Sequence, residues 1–410
     1  MPLSSAIPKS ARPFAKRAFS RYAPWIIYRV RDYRMRKIKS ADTDRKRLGV
    51  LLSLAEDIDN RSYDETRPEV YPDISDGIGT HAIVEINNTC NIDCLSCKTS
   101  LATRKRGKIS EGLLTESLDE LKRIGVKSVA LHTIGDPFMF PRLGLVFEEL
   151  RKRGMTAAIS TNGLLLHRQI DALLDYFDVC SSIRFSVDGA TKETYERIRF
   201  GGKWEDLLEN LELTKTKLMP HGFATSLNMV VSDDNWREIG QFIVRFREYV
   251  RYPQTSIQFT LINSLSPNTQ YFETVNPVKS RTHQKKMCEF GNLGTPFCFF
   301  DGRVSACCRD YDGSLVMGDI TEQSIDEIRK GPLAKKFRRA HETGDLADYT
   351  LCRNCEEPDP RVSTLFRELM RHTISLRPEA DAEYYQQRAD KLLEAFQGSS
   401  PLVPQIERLN

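Results

Sequence analysis

The most informative pattern in this chain lies in residues 81–97, which read His81-Ala-Ile-Val-Glu-Ile-Asn-Asn-Thr-Cys-Asn-Ile-Asp-Cys-Leu-Ser-Cys97. It begins with a short apolar run, residues 81–86, that predicts a strand, and it ends with Cys90, Cys94 and Cys97 in a CxxxCxxC spacing. A loop that leaves a strand can turn these three thiolates toward a common point. Soft thiolates at such spacing select iron–sulfur clusters or zinc.

The number of cysteines in this loop favours a cluster with an open position. A [4Fe-4S] cubane has four irons, so a loop that supplies three cysteines leaves one iron without a protein ligand. A zinc site and a set of three buried thiols are the alternatives. Zinc requires a fourth ligand nearby, and no histidine lies within the loop.

The spacing, with Asn91 directly after the first cysteine, resembles the signature of the radical SAM superfamily. The resemblance implies that the amino and carboxylate groups of S-adenosylmethionine (SAM) chelate the open iron. An electron from the reduced cluster then cleaves the sulfonium to a 5′-deoxyadenosyl radical, which removes hydrogen from an unactivated C–H bond. The resemblance also implies a reducing electron donor such as flavodoxin or ferredoxin.

Strand-like and helical patterns alternate from the cysteine loop to residue 265. The predicted strands are 81–87, 127–133, 156–161, 181–187, 223–231 and 255–262, and the predicted helices lie near 113–124, 142–153, 165–177, 203–217 and 234–250. This alternation predicts an α/β fold with a parallel sheet and right-handed crossovers. Six units make a partial, TIM-like (β/α)6 barrel, the fold that the resemblance implies, with chemistry at the C-terminal ends of the strands.

Further motifs follow the predicted strands. Gly135-Asp136-Pro137 stands where the superfamily has Gly-Glu-Pro, whose backbone carbonyls receive the SAM amino group. The resemblance also assigns Ser186 and Arg199 to the SAM ribose and carboxylate, and Asn228 is a weaker SAM-binding candidate. Taken singly, each motif also fits an ordinary strand-to-helix turn.

The second group of cysteines lies between residues 288 and 355. An Asp301-Gly302 turn predicts a small hairpin that delivers Cys307 at its end. With the turn Met317-Gly-Asp-Ile320 and the final Cys352-Arg-Asn-Cys355, the pattern resembles the SPASM/twitch extension of radical SAM enzymes.

Cysteine count distinguishes the forms of this extension. A full SPASM extension carries about seven cysteines and two clusters, whereas this region has six. The resemblance implies the twitch form, with one auxiliary [4Fe-4S] cluster held by Cys288, Cys307, Cys352 and Cys355. Cys308 is an alternate to Cys307, because adjacent residues point to opposite sides of a strand. A zinc knuckle is the alternative, and Cys298 and Cys180 are left as small buried hydrophobes.

Charge is concentrated at the N-terminus. Residues 1–50 hold 14 Lys and Arg against 3 Asp, although the whole chain has a formal net charge of only +4. The predicted organisation is a basic helical extension (1–78), the barrel (79–265), a linker (266–287), the cluster domain (288–358) and a helical tail (359–410). The extension suits an anionic membrane surface, an organelle transit peptide or a helix docked on the barrel. No nucleic-acid-binding module is visible, and the expected location is the cytoplasm, with peripheral membrane contact as an alternative.

The resemblance implies an oxidoreductase or epimerase that acts on a sugar, an aminocyclitol or a similar polar small molecule. After hydrogen abstraction, the substrate radical either loses an electron to the auxiliary cluster or regains hydrogen from the opposite face. Cys298 is the candidate hydrogen donor for that second outcome, and His132, Asp188 and Asn263 are candidate polar contacts. Peptide modification, as in ribosomal peptide maturases, is the first alternative, and a non-catalytic metal-binding scaffold is the second.

Overall fold

The computed structural model describes residues 80–97, 99–262, 269–278, 294–353, 355 and 360–398, together with residues 51, 52, 55, 402, 404 and 406. The predicted N-terminal extension lies outside the described residues except at three positions. Cys288 and Asn263 also lie outside them.

Six parallel strands in chain order form the main sheet, with the order β6-β5-β4-β3-β2-β1. These strands are β1 (His81–Val84), β2 (Ser128–Ala130), β3 (Thr156–Thr161), β4 (Ser182–Ser186), β5 (Ala224–Val231) and β6 (Ile257–Leu261). The helices between them are α1 (Glu111–Arg123), α2 (Leu143–Lys152), α3 (Ile170–Asp175), α4 (Lys192–Ile198), α5 (Trp204–Leu213), α6 (Ile239–Phe246) and α7 (Pro253–Ser256). The fold is the α/β arrangement that the sequence predicts.

The two faces of the sheet differ in polarity, because side chains alternate along each strand. On β4, Ile183 and Phe185 are at most 1% exposed and belong to the apolar core under the helices. Arg184 and Ser186 point to the other face, which we call the lumen face. The core therefore lies between sheet and helices, and the lumen face carries the polar side chains.

The helix α4 was not predicted from the sequence. It has only seven residues, too few for a clear apolar period, and its start depends on a side-chain cap. The Thr191 hydroxyl accepts the Thr194 N–H at 3.3 Å. The Glu238 carboxylate accepts hydrogen bonds from the hydroxyl groups of Thr191 and Thr194. Other predicted helices are shorter than expected at their ends, where 3₁₀ turns and one π-helical segment, Thr214–Leu218, take over.

The cysteine-rich region extends the same sheet. Strand β7 (Phe297–Cys298) pairs in parallel with β1, and β8 (Arg303–Ser305) and β9 (Val316–Asp319) follow as antiparallel neighbours. Gly302 closes the predicted hairpin turn with a φ of 95°, which favours glycine. Helices α9 (Ile325–Lys330), α10 (Pro332–Thr343) and α11 (Thr350–Arg353) complete the described part of this region, which is joined to the barrel by backbone hydrogen bonds.

The chain outside these regions is also helical. A short helix, α8 (Thr269–Val275), lies within the predicted linker. The tail forms α12 (Pro360–Leu376), which packs on β6, and α13 (Ala382–Gln397), which packs on α6. A Cβ atom on Gly240 would lie 2.0 Å from the Ala382 carbonyl oxygen, so the contact between α6 and α13 requires a glycine there.

Candidate functional site

A cavity lies at the C-terminal ends of the first four strands, where a barrel of this kind places its chemistry. It collects the three cysteines of the first loop with most of the predicted SAM-binding residues. Its lining consists of Cys90, Ile92, Cys94, Cys97, Thr99, His132, Thr133, Ile134, Gly135, Asp136, Ser160, Thr161, Asn162, Ser186 and Arg199.

The cysteine loop is fixed by hydrogen bonds to the end of α4. The Asp93 N–H donates to the Phe200 carbonyl oxygen at 2.8 Å, and the Leu95 N–H donates to the Ile198 carbonyl oxygen at 2.9 Å. Burial raises the pKa of the Cys90 thiol to about 12, and the pKa values of its two neighbours are raised for the same reason. Metal binding must therefore release the thiol protons.

Two side chains donate hydrogen bonds to sulfurs of this loop. Asn162 Nδ2 lies 3.6 Å from Cys90 Sγ, and Arg199 Nη1 lies 3.4 Å from Cys94 Sγ. Such donors suit thiolates that carry negative charge. No three described Cys, His, Asp or Glu side chains converge on a single metal ion. In a cubane, each cysteine binds a different iron. The three sulfurs therefore need only line one cavity and do not have to meet at a single metal ion.

Arg199 is held in place by Asp188. The guanidinium Nη2 lies 2.6 Å from Asp188 Oδ2, and both side chains are largely buried. Asp188 itself has a φ of 63°, and its Oδ1 accepts the Val230 N–H at 2.7 Å. The Arg199 Nε is buried without a hydrogen-bond partner among the described residues.

The Gly135-Asp136-Pro137 motif holds the loops after β2 and β3 together. A Cβ on Gly135 would lie 2.4 Å from the carbonyl oxygen of Asn87, so the loops after β1 and β2 approach too closely for any other residue. The buried Asp136 carboxylate accepts hydrogen bonds from the Thr161 hydroxyl at 2.8 Å and from the Asn162 N–H at 2.7 Å. The shorter Asp, which stands for Glu here, is thus a structural clamp.

The remaining parts of this motif face the protein. The Asp136 carbonyl oxygen accepts Asn87 Nδ2 at 3.1 Å, which leaves one lone pair. Pro137 is buried at the start of the 3₁₀ helix Pro137–Met139 and does not line the cavity.

The other predicted contacts are divided between the cavity and the lumen face. Ser186 Oγ lies 3.4 Å from Ser160 Oγ, and both line the cavity. Asn228 is paired in register with Ser186, but its side chain accepts a hydrogen bond from Thr260 and does not line the cavity. His132 lines the cavity, and its Nδ1 accepts the Ser160 N–H at 3.2 Å.

A buried ion pair connects this site to the cysteine-rich region. Arg104 binds Glu85 through two hydrogen bonds of 2.8 and 2.7 Å, with both side chains at most 4% exposed. The guanidinium lies 3.9 Å from the ring centroid of Phe299, and its Nε donates to the Tyr311 carbonyl oxygen at 2.9 Å. The sequence analysis missed this pair, because its partners are 19 residues apart in no recognisable motif.

Arg309 links cysteines of the second group. Its backbone N–H lies 3.4 Å from Cys307 Sγ, and its Nη1 lies 3.7 Å from Cys355 Sγ. The hydrogen bond from the Cys355 N–H to the Cys352 carbonyl oxygen, at 3.2 Å, closes the turn between the last two cysteines. Arg309 therefore contacts two cysteines of this group, one through its backbone and one through its side chain.

Cys298 does not occupy the position that a hydrogen donor needs. It pairs with Val84 in the sheet, is 0% exposed and belongs to the apolar core. Strand β7 continues the sheet beside β1, so the segment that holds Cys298 does not cover the mouth of the barrel, where a hydrogen donor would be needed. Cys180 is also fully buried in the core, as expected for a small hydrophobe.

Family comparisons match both cysteine regions. Residues 84–245 match the radical SAM superfamily, and residues 288–356 match the SPASM iron–sulfur cluster-binding domain. The chain belongs to the radical SAM superfamily and carries a C-terminal SPASM domain. Its cofactors are therefore SAM, a SAM-binding [4Fe-4S] cluster and auxiliary iron–sulfur cluster content in the SPASM domain.

Two curated relatives share 24% identity with the chain. Mycofactocin maturase MftC of Mycobacterium ulcerans (strain Agy99) aligns over 306 residues, which are 66% of this chain and 80% of the relative. The antilisterial bacteriocin subtilosin biosynthesis protein AlbA of Bacillus subtilis (strain 168) aligns over 290 residues, which are 63% of this chain and 61% of the relative.

Solved structures show the same fold at low identity. Native anSMEcpe with bound AdoMet matches with a TM-score of 0.50 and 13% identity, over 80% of this chain and 98% of that one. SuiB of Streptococcus suis bound to S-adenosylmethionine matches with a TM-score of 0.50 and 12% identity, over 64% and 68%. Among the helices of the described residues, none is both long and apolar enough to cross a membrane.

Proposed function

We propose that this protein is a radical SAM enzyme that modifies a peptide. The observation that carries the proposal is its similarity to a maturase and to a bacteriocin biosynthesis protein, each over about two thirds of the chain. Peptide modification was the alternative in the sequence analysis, and these relatives favour it over sugar oxidation.

In this proposal, the residues around the cavity divide into ligands and positioning groups. Cys90, Cys94 and Cys97 hold the SAM-binding cluster, and the Arg199 guanidinium receives the SAM carboxylate through donors that Asp188 and Cys94 leave unused. When bound, the cluster and SAM supply the radical that removes hydrogen from the substrate. Ser186, which lines the cavity, is the proposed contact of the SAM ribose.

The second cysteine group would hold one auxiliary cluster of the twitch type. Cys307, Cys352 and Cys355 are three of its proposed ligands, and Cys288 is the fourth. Cys308 stays the alternate to Cys307, because the side chains of these two cysteines are hydrogen-bonded to each other and both lie near Arg309.

Oxidation or epimerisation of a small molecule is the second candidate. It is supported by a relative named as a tungsten-containing aldehyde ferredoxin oxidoreductase cofactor-modifying protein, of Pyrococcus furiosus (strain ATCC 43587 / DSM 3638 / JCM 8422 / Vc1), which is 24% identical over 48% of this chain and 53% of its own length. That protein is named for a cofactor, whereas the longer alignments are with the two relatives above.

Release of 5′-deoxyadenosine separates the two candidates. The reconstituted protein is incubated anaerobically with SAM, a reductant and either short peptides encoded beside its gene or a panel of sugars and aminocyclitols. Peptide modification predicts a mass change in one peptide, together with faster release of 5′-deoxyadenosine. Turnover of a sugar, with no peptide altered, would overturn the proposal.

A further inference from the structure

Arg184 is an arginine inside the barrel, on the lumen face of a central strand. It pairs in register with Ser160 of β3 and with Ser226 of β5, and it lies two residues before Ser186. Two residues of a strand rise about 7 Å, so Arg184 is one layer below the SAM cavity. Its side chain is partly accessible to solvent, in contrast to the buried Ile183 and Phe185 beside it.

The positive charge of Arg184 is not neutralised within the described part of the protein. The side chain makes no ion pair or hydrogen bond to any described residue. Desolvation lowers the pKa of its guanidinium, and the nearby Arg367 lowers it further. Arg367 lies 3.5 Å from Glu368, but Arg371 binds the same carboxylate at 2.9 Å, so the described groups near Arg184 keep an excess of positive charge.

Besides Arg367, neutral hydrogen-bonding groups lie near Arg184. His132 is close enough that the Arg184 charge helps to lower its pKa to about 4, after the larger effect of burial. The neutral imidazole accepts the Ser160 N–H through Nδ1, which leaves Nε2 to carry the hydrogen. The hydroxyl group of Ser160 is in register with Arg184, and that of Ser186 lies two residues further along β4.

We propose that Arg184 binds a carboxylate of the substrate in the barrel lumen, with His132 beside it as a neutral hydrogen-bond donor. A planar guanidinium matches a carboxylate through two parallel hydrogen bonds. The inference rests on the proposed function, because the carboxylate is then the C-terminus or an acidic side chain of the peptide.

Chemical protection of Arg184 tests the subsite without knowledge of the peptide. The reconstituted wild-type protein reacts anaerobically with phenylglyoxal, and mass spectrometry follows modification at each arginine. The probes are acetate, acetamide with sodium chloride at equal ionic strength, and inorganic phosphate. Arg168 is the internal control, because it is exposed and also makes no ion pair to a described residue.

We expect acetate to slow the modification of Arg184 several-fold and to leave that of Arg168 unchanged, whereas acetamide has no effect. Stronger protection by phosphate than by acetate would overturn the assignment to a carboxylate. Equal effects of acetate on both arginines, or none on Arg184, would overturn the subsite.

The peptide assay then separates this inference from the proposed function. For a processed peptide, amidation of the C-terminus and conversion of acidic residues to amides identify which carboxylate matters. That change should raise KM in the wild type but not in Arg184→Gln, and Arg184→Lys should restore part of the discrimination. Equal KM values for all forms would overturn the subsite while the function stands. Protection by acetate with no peptide processed would overturn the function while the subsite stands.

Discussion

Arg199 joins Cys94 to Asp188, since its Nη1 lies 3.4 Å from the cysteine sulfur and its Nη2 lies 2.6 Å from the carboxylate. Asp188 is itself fixed by two elements, because its carboxylate accepts the Val230 N–H and its carbonyl oxygen accepts Asn235 Nδ2 at 2.9 Å. Strand β5 and the loop after it thereby set the position of a group that touches the proposed cluster ligand.

We predict that Arg199→Gln makes the midpoint potential of the SAM-binding cluster more negative. Hydrogen bonds to cluster sulfurs stabilise the reduced, more negative state, and this substitution removes one donor and one positive charge. The measurement is a redox titration followed by electron paramagnetic resonance. Arg197→Gln is the control, because Arg197 lies in the last turn of α4, two residues before Arg199, but pairs with Asp234 at the surface. An unchanged potential in Arg199→Gln would show that the contact has no electronic effect.

Loss of the cluster proposed for the first cysteine loop should leave the cluster proposed for the second cysteine group in place. In the triple variant of Cys90, Cys94 and Cys97 to Ala, we expect reductive SAM cleavage to be lost and iron to fall from about eight to about four atoms per chain. Iron analysis and 5′-deoxyadenosine release provide the measurements. Retention of 5′-deoxyadenosine formation would contradict the assignment of the first loop, and zinc in place of the remaining iron would identify a structural knuckle.

The fold was predictable from the sequence because its strands are marked by local patterns. Ile183 and Phe185 alternate with polar residues, and each such run ends at a turn motif. Arg199 was also predictable, since it belongs to a motif with a fixed position after β4. The contacts of Arg199 with Cys94 and Asp188 were not predictable, because they join residues that come together only when the strands lie side by side.

The position of Cys298 illustrates the opposite error. The Asp301-Gly302 turn, three residues after Cys298, correctly predicts a hairpin. Local patterns do not specify which strand of the main sheet this hairpin pairs with. Pairing of β7 with β1 directs Cys298 into the core. Long-range strand pairing is therefore the information that the sequence pattern lacks here.

The buried ion pair between Glu85 and Arg104 should be important for stability. Glu85→Gln leaves a buried guanidinium without its counter-ion, and such a loss costs about 3 to 5 kcal/mol. We expect a drop of this size in the free energy of unfolding, measured by urea unfolding under anaerobic conditions. Arg142→Gln breaks an exposed pair with Glu111 and should change stability by less than about 1 kcal/mol. Similar losses in both variants would contradict the special role of the buried pair.

His132 should make stability depend on pH in a defined range. Burial, with a smaller effect of Arg184, lowers its folded-state pKa to about 4, below the ordinary value of 6.5. The unfolded chain therefore binds the proton first as the pH falls, so the stabilisation is complete above pH 6.5 and is lost progressively toward pH 4. Between pH 7 and pH 5.5, this single group should lower the free energy of unfolding by about 1 kcal/mol.

The substitution His132→Gln should remove that part of the pH dependence, because the amide does not titrate. Urea unfolding of wild type and variant at the two pH values provides the measurement. His167→Gln is the matched control, since His167 is exposed and should leave the slope as it is in the wild type. If His132→Gln keeps the wild-type slope, the imidazole is protonated as easily in the folded protein as in the unfolded chain, and its role as a neutral donor beside Arg184 would be excluded.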